Sequence, residues 1–271
     1  MRRFGSKVSV IEHHDHILNK EDPDVSTALA ELLSAEGIEF YTSTNISKVQ
    51  GVSGDQVTLT GTRGGKPFDL SGTHILVAAG RTPNTESIGL KQAGIEVTAS
   101  GHVKVNERLQ TTAENVFAVG DCAGSPHFTH VAFDDFRVVV DNLIGSKNKT
   151  TTDRQVPYTL FTDPELAHVG LSETEATAKN IPYRLAKLPM LAFLRTRTLG
   201  QTDGFAKLLV SKTDDQILGF TALGPNAGEL LPVIQLAMAN GLPYTTISNL
   251  IITHPTLAEG LVALSMAVPS N

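Results

Sequence analysis

The chain has one cysteine, Cys122, among 271 residues. One thiol forms no internal disulfide, so a reducing, cytoplasmic setting is the default expectation. There is no apolar run of about 18 residues, the length a membrane-spanning helix needs. No lysine- or arginine-rich stretch occurs, and 22 basic against 28 acidic residues leave a net charge of −6. A nucleic-acid partner would want a basic stripe, so that class is set aside. The opening MRRFGSKVSVIE turns polar at once and does not read as a signal peptide. No internal repeat, low-complexity tract or serine nucleophile elbow is present. G-x-G-x-x-G, the loop that cradles a pyrophosphate in a dinucleotide-binding unit, is also missing.

What is there is an ordinary globular composition, 41% hydrophobic and 18% charged, enough to bury a sizeable core in about two domains. KVSVIE (7–12) reads as a short buried strand. In EDPDVSTALAELLSAEG, Pro23 suits a first helical position, Val25, Leu29, Leu32 and Leu33 share a face, and Gly37 suits the helix end. IEFYT follows as a strand, so 7–42 is a strand–helix–strand unit of a parallel sheet. KVQGV and QVTLTG suggest a small antiparallel excursion. HILVAAGR (74–81) and the start of NVFAVGDCAG (115–124) predict central parallel strands, and 130–145 predicts a helix ending at Gly145. The polar stretch SKNKTTTDRQ (146–155) is the best linker. Beyond it, 205–224 predicts an antiparallel hairpin around Thr-Asp-Asp, and ETEATAKN and AGELLPVIQLAMANG predict helices. Segment 152–271 is therefore an α+β domain.

Several residues carry possible chemistry. An acid at the end of the first strand, Glu12, suits a ribose diol, or is simply an exposed charge. HHDH (13–16) crowds imidazoles together, but no second cluster completes four ligands, so no metal is assigned there. Gly120 and Asp121 join a backbone open to a cofactor with a carboxylate for a sugar hydroxyl, or form a strand-ending turn. Cys122 reads as a small buried filler. In THPTLAEG (253–260), His254 and Glu259 look like a base and its orienting partner. Yet Thr256-x-x-Glu259 is also a capping box, with Pro255 at or beside the first helical position. Spacing alone leaves these two explanations level.

In order, GSKVSVIE, HILVAAGRTPNT, NVFAVGDCAG, PYTLFTDPELAHVGLSETEA, DGFAKLLVSKTDDQILG and THPTLAEG resemble the pyridine nucleotide–disulfide oxidoreductases, the flavoprotein family of dihydrolipoamide dehydrogenase, glutathione reductase and mercuric reductase. The resemblance implies an α/β fold of partial NAD- and FAD-binding Rossmann-like domains (1–84 and 85–147), followed by an α+β dimerisation domain (152–271). It implies Glu12 as the NAD-ribose acid, Val49 in the adenine pocket and Gly80 facing the dinucleotide. Gly120 and Asp121 would bind FAD, and the stretch His127, Phe128, Thr129 and His130 would lie under the flavin ring. His254 would be the catalytic acid–base, held by Glu259. An imidazole, with a reference pKa of about 6.5, suits proton transfer near neutrality.

The family's FAD Gly-rich motif, NAD Gly-rich loop and C-x4-C redox pair do not occur in this sequence, which resembles roughly the C-terminal three-fifths of such an enzyme. The expected partners are a second copy, through 152–271, and a separate N-terminal half. The HPTLAEG form sits nearest the dihydrolipoamide dehydrogenase type. The alternatives are a non-catalytic dimerisation module and a metal-binding module using HHDH.

Overall fold

The computed structural model describes residues 1–145 and 148–270. Ser146 and Lys147 of the expected linker therefore lie outside the described residues. The chain forms two compact units, one from residues 1–77 and 157 onward, the other from 78–156.

The first unit opens with β1 (Val8–Ile11), α1 (Pro23–Ala35) and β2 (Ile38–Tyr41). The two strands pair in parallel from Val8 opposite Ile38 to Ile11 opposite Tyr41, the strand–helix–strand unit that the periodicity predicts. Pro23 occupies the start of α1, where its missing N–H leaves no bond unmade. Gly37 ends the turn after the helix at φ +90°, a conformation that favours glycine. Next come β3 (Thr44–Gly51), β4 (Val57–Arg63) and β5 (Lys66–Gly72) in an antiparallel sheet of that order. The expected excursion is thus one strand larger than the sequence suggests.

Two expected strands do not form. The run 74–81 is irregular, with Leu76 87% and Val77 75% exposed. Residues 115–119 make only one isolated bridge, Phe117 with Gln110. An apolar run becomes a strand when a neighbour takes its N–H and C=O groups. Among the described residues, no strand stands beside either run. The second unit is held instead by turns, by a 3-10 turn at Gly120–Ala123 and by the helix α2 (Thr129–Leu143).

The first unit resumes with β6 (Tyr158–Leu160), β7 (Glu165–Gly170), α3 (Glu173–Ala178), β8 (Tyr183–Pro189), α4 (Leu194–Leu199), β9 (Phe205–Ser211), β10 (Ile217–Gly224), α5 (Leu231–Ala239), α6 (Thr245–Ser248) and α7 (Gly260–Met266). The five strands form one antiparallel sheet, β6-β7-β10-β9-β8. The β9–β10 hairpin is the predicted one. Phe220, Leu208 and Ala222 from its strands bury with Ile234 of α5 and Leu261 and Leu264 of α7. A second cluster joins Val25 and Leu29 of α1 to Leu166 of β7 and Leu223 of β10, so the apolar face of α1 packs on the later sheet.

That contact surrounds a buried charge network. The Lys207 ammonium is fully buried and donates to Asp22 Oδ2 at 2.7 Å, Asp24 Oδ1 at 2.9 Å and Glu173 Oε1 at 2.8 Å. A second cation, Lys187, reaches Asp24 at 2.6 Å. Asp22 also accepts from the Glu173 and Thr174 N–H groups and from the Thr174 hydroxyl. Burial works to raise the Asp22 carboxyl, but these donors outweigh it and push the group down to about 2. Burial likewise opposes the Lys207 charge, and its three carboxylates hold its pKa above the ordinary lysine value.

Candidate functional site

His254 stands in the segment between α6 and α7, and its side chain is 60% exposed. Its Nδ1 lies 2.9 and 3.0 Å from the two oxygens of Glu259. A carboxylate only accepts at neutral pH, so Nδ1 carries a proton and Nε2 holds the lone pair of the neutral ring. Among the described residues, Nε2 has no hydrogen-bond partner. The capping alternative is half present. The Thr256 hydroxyl accepts from the Glu259 N–H at 3.2 Å, but the Glu259 carboxylate turns to His254 rather than back to Thr256. The helix itself starts at Gly260, so Pro255 precedes it by a turn and is not its first residue. Both oxygens of Glu259 face the imidazole, and neither closes the box.

Glu12 follows β1 directly. Its backbone is pinned by N–H donation to Tyr41 O at 3.0 Å and acceptance from Thr44 N–H at 3.0 Å. Its Oε1 meets the Nδ1 atoms of His13 at 2.9 Å and His14 at 2.7 Å. Burial would raise this carboxyl, but the His14 N–H and imidazole prevail, with help from His13, and hold it below the usual carboxylate value. Val49 lies on β3 opposite Leu59, with 54% of its surface exposed.

In the second unit, Gly80 adopts φ +116° with open space where a side chain would stand. A ligand can therefore approach its backbone closely. Arg81 brings this stretch to Asp121, with Nη1 3.1 Å from Oδ2. Gly120 has φ +68°, and an added Cβ would lie 3.0 Å from that of Ala132. His127 and Thr129 are exposed, and Phe128 stacks on His130 with centroids 5.2 Å apart. Cys122 is half-buried beside this loop, its Sγ 3.3 Å from Val119 O. It is not the fully buried filler its size suggested.

Comparison with known families decides the lineage. The model of the pyridine nucleotide-disulphide oxidoreductases matches residues 1–135. The model of that family's dimerisation domain matches residues 156–265. The chain belongs to the pyridine nucleotide-disulphide oxidoreductases. This is a family of flavin-dependent enzymes acting on disulfides. Within it, the chain is 33% identical over 259 residues to the probable pyridine nucleotide-disulfide oxidoreductase RclA of Escherichia coli K12, covering 95% of this chain and 58% of that protein. It is 36% identical over 267 residues to the dihydrolipoyl dehydrogenase of Thermus scotoductus, covering 98% of this chain and 58% of that one. The solved structure of the HOCl-induced flavoprotein disulfide reductase RclA from Escherichia coli superposes with a TM-score of 0.91 at 32% identity, over 99% of this chain and 61% of that one. The chain thus spans somewhat over half the length of the relatives it matches. No helix among the described residues is long and apolar enough to cross a membrane.

One buried residue behind the Gly120–Asp121 loop escaped the sequence reading. Asp135 of α2 is fully buried and accepts from the Gly120 N–H at 2.7 Å, the Ser125 hydroxyl at 2.7 Å and Arg154 at 2.6 Å. It fixes the Gly120–Asp121 loop from behind. Its only sequence signal is an acid inside the amphipathic stretch AFDDFR, which reads equally as a solvated helix face.

Proposed function

We propose that this chain carries the acid–base portion of an FAD- and NAD(H)-dependent oxidoreductase acting on disulfides, of the dihydrolipoyl dehydrogenase type. The bidentate approach of Glu259 to His254 Nδ1 carries this reading. It orients the imidazole and leaves Nε2 as the basic atom on an exposed ring, ready to take or return the proton of a substrate thiol. Glu259 is then a positioning residue. The residues present suit both cofactors. Glu12, pinned at the end of β1, is placed to accept from a ribose diol, and it repels a 2′-phosphate, which favours NAD(H) over NADP(H). Val49 suits the adenine. Gly80 gives a dinucleotide close approach, Asp121 accepts from the flavin's polyol chain, and the backbone of 127–130 supports its ring. FAD, when bound, supplies the relay of an electron pair from NADH to a disulfide.

The chain's single cysteine provides no dithiol of its own, so a C-x4-C segment contributed by another stretch of protein completes the reaction. The reading divides the chain into NAD-binding 1–84, FAD-binding 85–147 and dimerisation 152–271, in a cytoplasmic homodimer assembled through the last. In this family arrangement the His254 of one protomer serves its partner. The test is NADH-dependent lipoamide reduction by this chain co-expressed with the C-x4-C-bearing N-terminal segment of a dihydrolipoyl dehydrogenase. His254→Gln should lower kcat by roughly 10²–10⁴-fold, the usual worth of a general acid–base. Equal rates in wild type and variant would overturn the assignment.

A further inference from the structure

Two groups of ligand-type side chains converge in the described residues: Asp22, Asp24 and Glu173, and Glu12, His13 and His14. The first already has a cation at its centre, the Lys207 ammonium. The second has none. We propose that Glu12, His13 and His14 form a site for a divalent zinc-class ion, and that its occupancy withholds Glu12 from the dinucleotide. The second clause rests on the NAD-ribose reading of Glu12 given above, whereas the first does not.

HHDH alone offers too few ligands, and the fold adds the missing one. Residues 12–14 bend after β1, so that both Nδ1 atoms turn to the same carboxylate oxygen, and the three ligand atoms all lie within 4.8 Å of one another. Bonds of about 2.0–2.2 Å to one zinc ion place such atoms roughly 3–3.5 Å apart. The His13 ring is exposed and the His14 ring partly so, which leaves both room to rotate toward a shared ion. The His13 side chain is 66% exposed, which leaves water free to complete a four-coordinate shell.

The backbone under the site is held by hydrogen bonds. Glu12 is bonded through its N–H to Tyr41 at the end of β2 and through its C=O to Thr44 at the start of β3, and His14 O accepts from Ser43 N–H at 2.6 Å. The two imidazoles favour zinc-class ions over magnesium or calcium, which prefer all-oxygen shells. An outer partner is also in place. Asn19 Nδ2 lies 3.0 Å from His14 Nε2. When Nδ1 gives its lone pair to a metal, the ring proton moves to Nε2. The Asn19 amide, turned over, then accepts it through its carbonyl oxygen, the usual outer support of a metal-bound histidine.

An ion here occupies the carboxylate that the ribose diol would use, so metal and NAD(H) compete. Calorimetric titration of Zn²⁺ into the full chain, in a weakly coordinating buffer with and without NAD⁺, tests this. The expected result is one saturable ion per chain. Binding should weaken at least about tenfold in His13→Ala and about a hundredfold in His13→Ala/His14→Ala. It should stay unchanged in His74→Ala, and Mg²⁺ should give no comparable heat. His13 is exposed, so the single variant remains readable if the double one folds poorly. No saturable uptake, or equal uptake by His13→Ala and wild type, would overturn the site. Apparent Zn²⁺ affinity that falls as NAD⁺ is added supports the competition. Zn²⁺ held through the histidines but indifferent to NAD⁺ would keep the ion site and overturn the dinucleotide role of Glu12.

Discussion

Replacing Lys207 by methionine removes the cation from beneath α1 and leaves its carboxylates behind. The side chain is fully buried and Asp22 is 3% exposed, so water cannot fully replace the lost partner. Breaking one half of a buried ion pair costs about 3–5 kcal/mol. Asp22 keeps three other donors, and Asp24 keeps Lys187. The lower end, about 3 kcal/mol, is therefore expected. At roughly 2–4 °C per kcal/mol for a chain of this size, the melting temperature should fall by roughly 6–12 °C.

The pH dependence follows from the directions of the shifts. Asp22 has its folded value depressed, so its contribution is complete above the ordinary 3.8 and is lost as pH falls through about 2. Lys207 has its value raised, so its contribution is complete below the ordinary 10.5 and is lost only at higher pH. In Lys207→Met, the Thr174 donors remain but the ammonium no longer offsets burial, so the Asp22 carboxyl rises and its protonation relieves the variant. Its deficit should thus narrow from pH 6 to pH 3. Asp22→Asn added to Lys207→Met should recover part of the loss. Urea denaturation followed by far-UV circular dichroism measures the wild type, Lys207→Met, Asp22→Asn and the double variant. A deficit under about 1 kcal/mol, or a double variant weaker than the sum of the singles, would refute the network.

Glu12→Gln should weaken NADH binding to the purified chain by about tenfold, for one charged hydrogen bond of about 1.5 kcal/mol, and should narrow its preference over NADPH. Nicotinamide fluorescence reads both, and tighter NADPH binding by wild type would contradict the ribose assignment. Asp135→Ala strands the Gly120 N–H, Ser125 and Arg154. It should cost about 3–5 kcal/mol in the second unit and weaken retention of added FAD in equilibrium dialysis. Ile251→Asp places a charge on a side chain that is fully exposed in the single chain. If 152–271 forms an apolar dimer face on the order of 2,000 Å², sedimentation equilibrium should show wild-type dimers and variant monomers.

The pieces of fold that could be read directly are those whose signal is local. Pro23, the Val25–Leu29 face and Gly37 mark α1 without any neighbour. The strands around Thr213–Asp215 announce their own hairpin. The runs 74–81 and 115–119 carry equally strong apolar signals, but a strand exists only with a partner ladder, which composition cannot supply. The same limit hid the polar networks. Asp22 lies far along the chain from Glu173 and Lys207, Gly120 and Asp135 are fifteen residues apart, and nothing in either spacing announces their meeting. At the candidate site, the His254–Glu259 pair was legible because five residues in one loop suffice to bring the groups together. Spacing could not say which of two bonds Glu259 makes, because both lie within the same turn. HHDH was visible as a cluster, but its third ligand emerged only when β1 ended and the chain bent.

Rapid-mixing kinetics of the assembly carrying the C-x4-C segment separate the two halves of the reaction and test the role of His254 most directly. The account predicts that His254→Gln leaves reduction of the flavin by NADH at its wild-type rate. It should slow reoxidation by the disulfide substrate by roughly 10²-fold or more, while Cys122→Ser alters neither step. A variant that reoxidises as fast as wild type, or one slowed only in flavin reduction, would contradict an acid–base at His254.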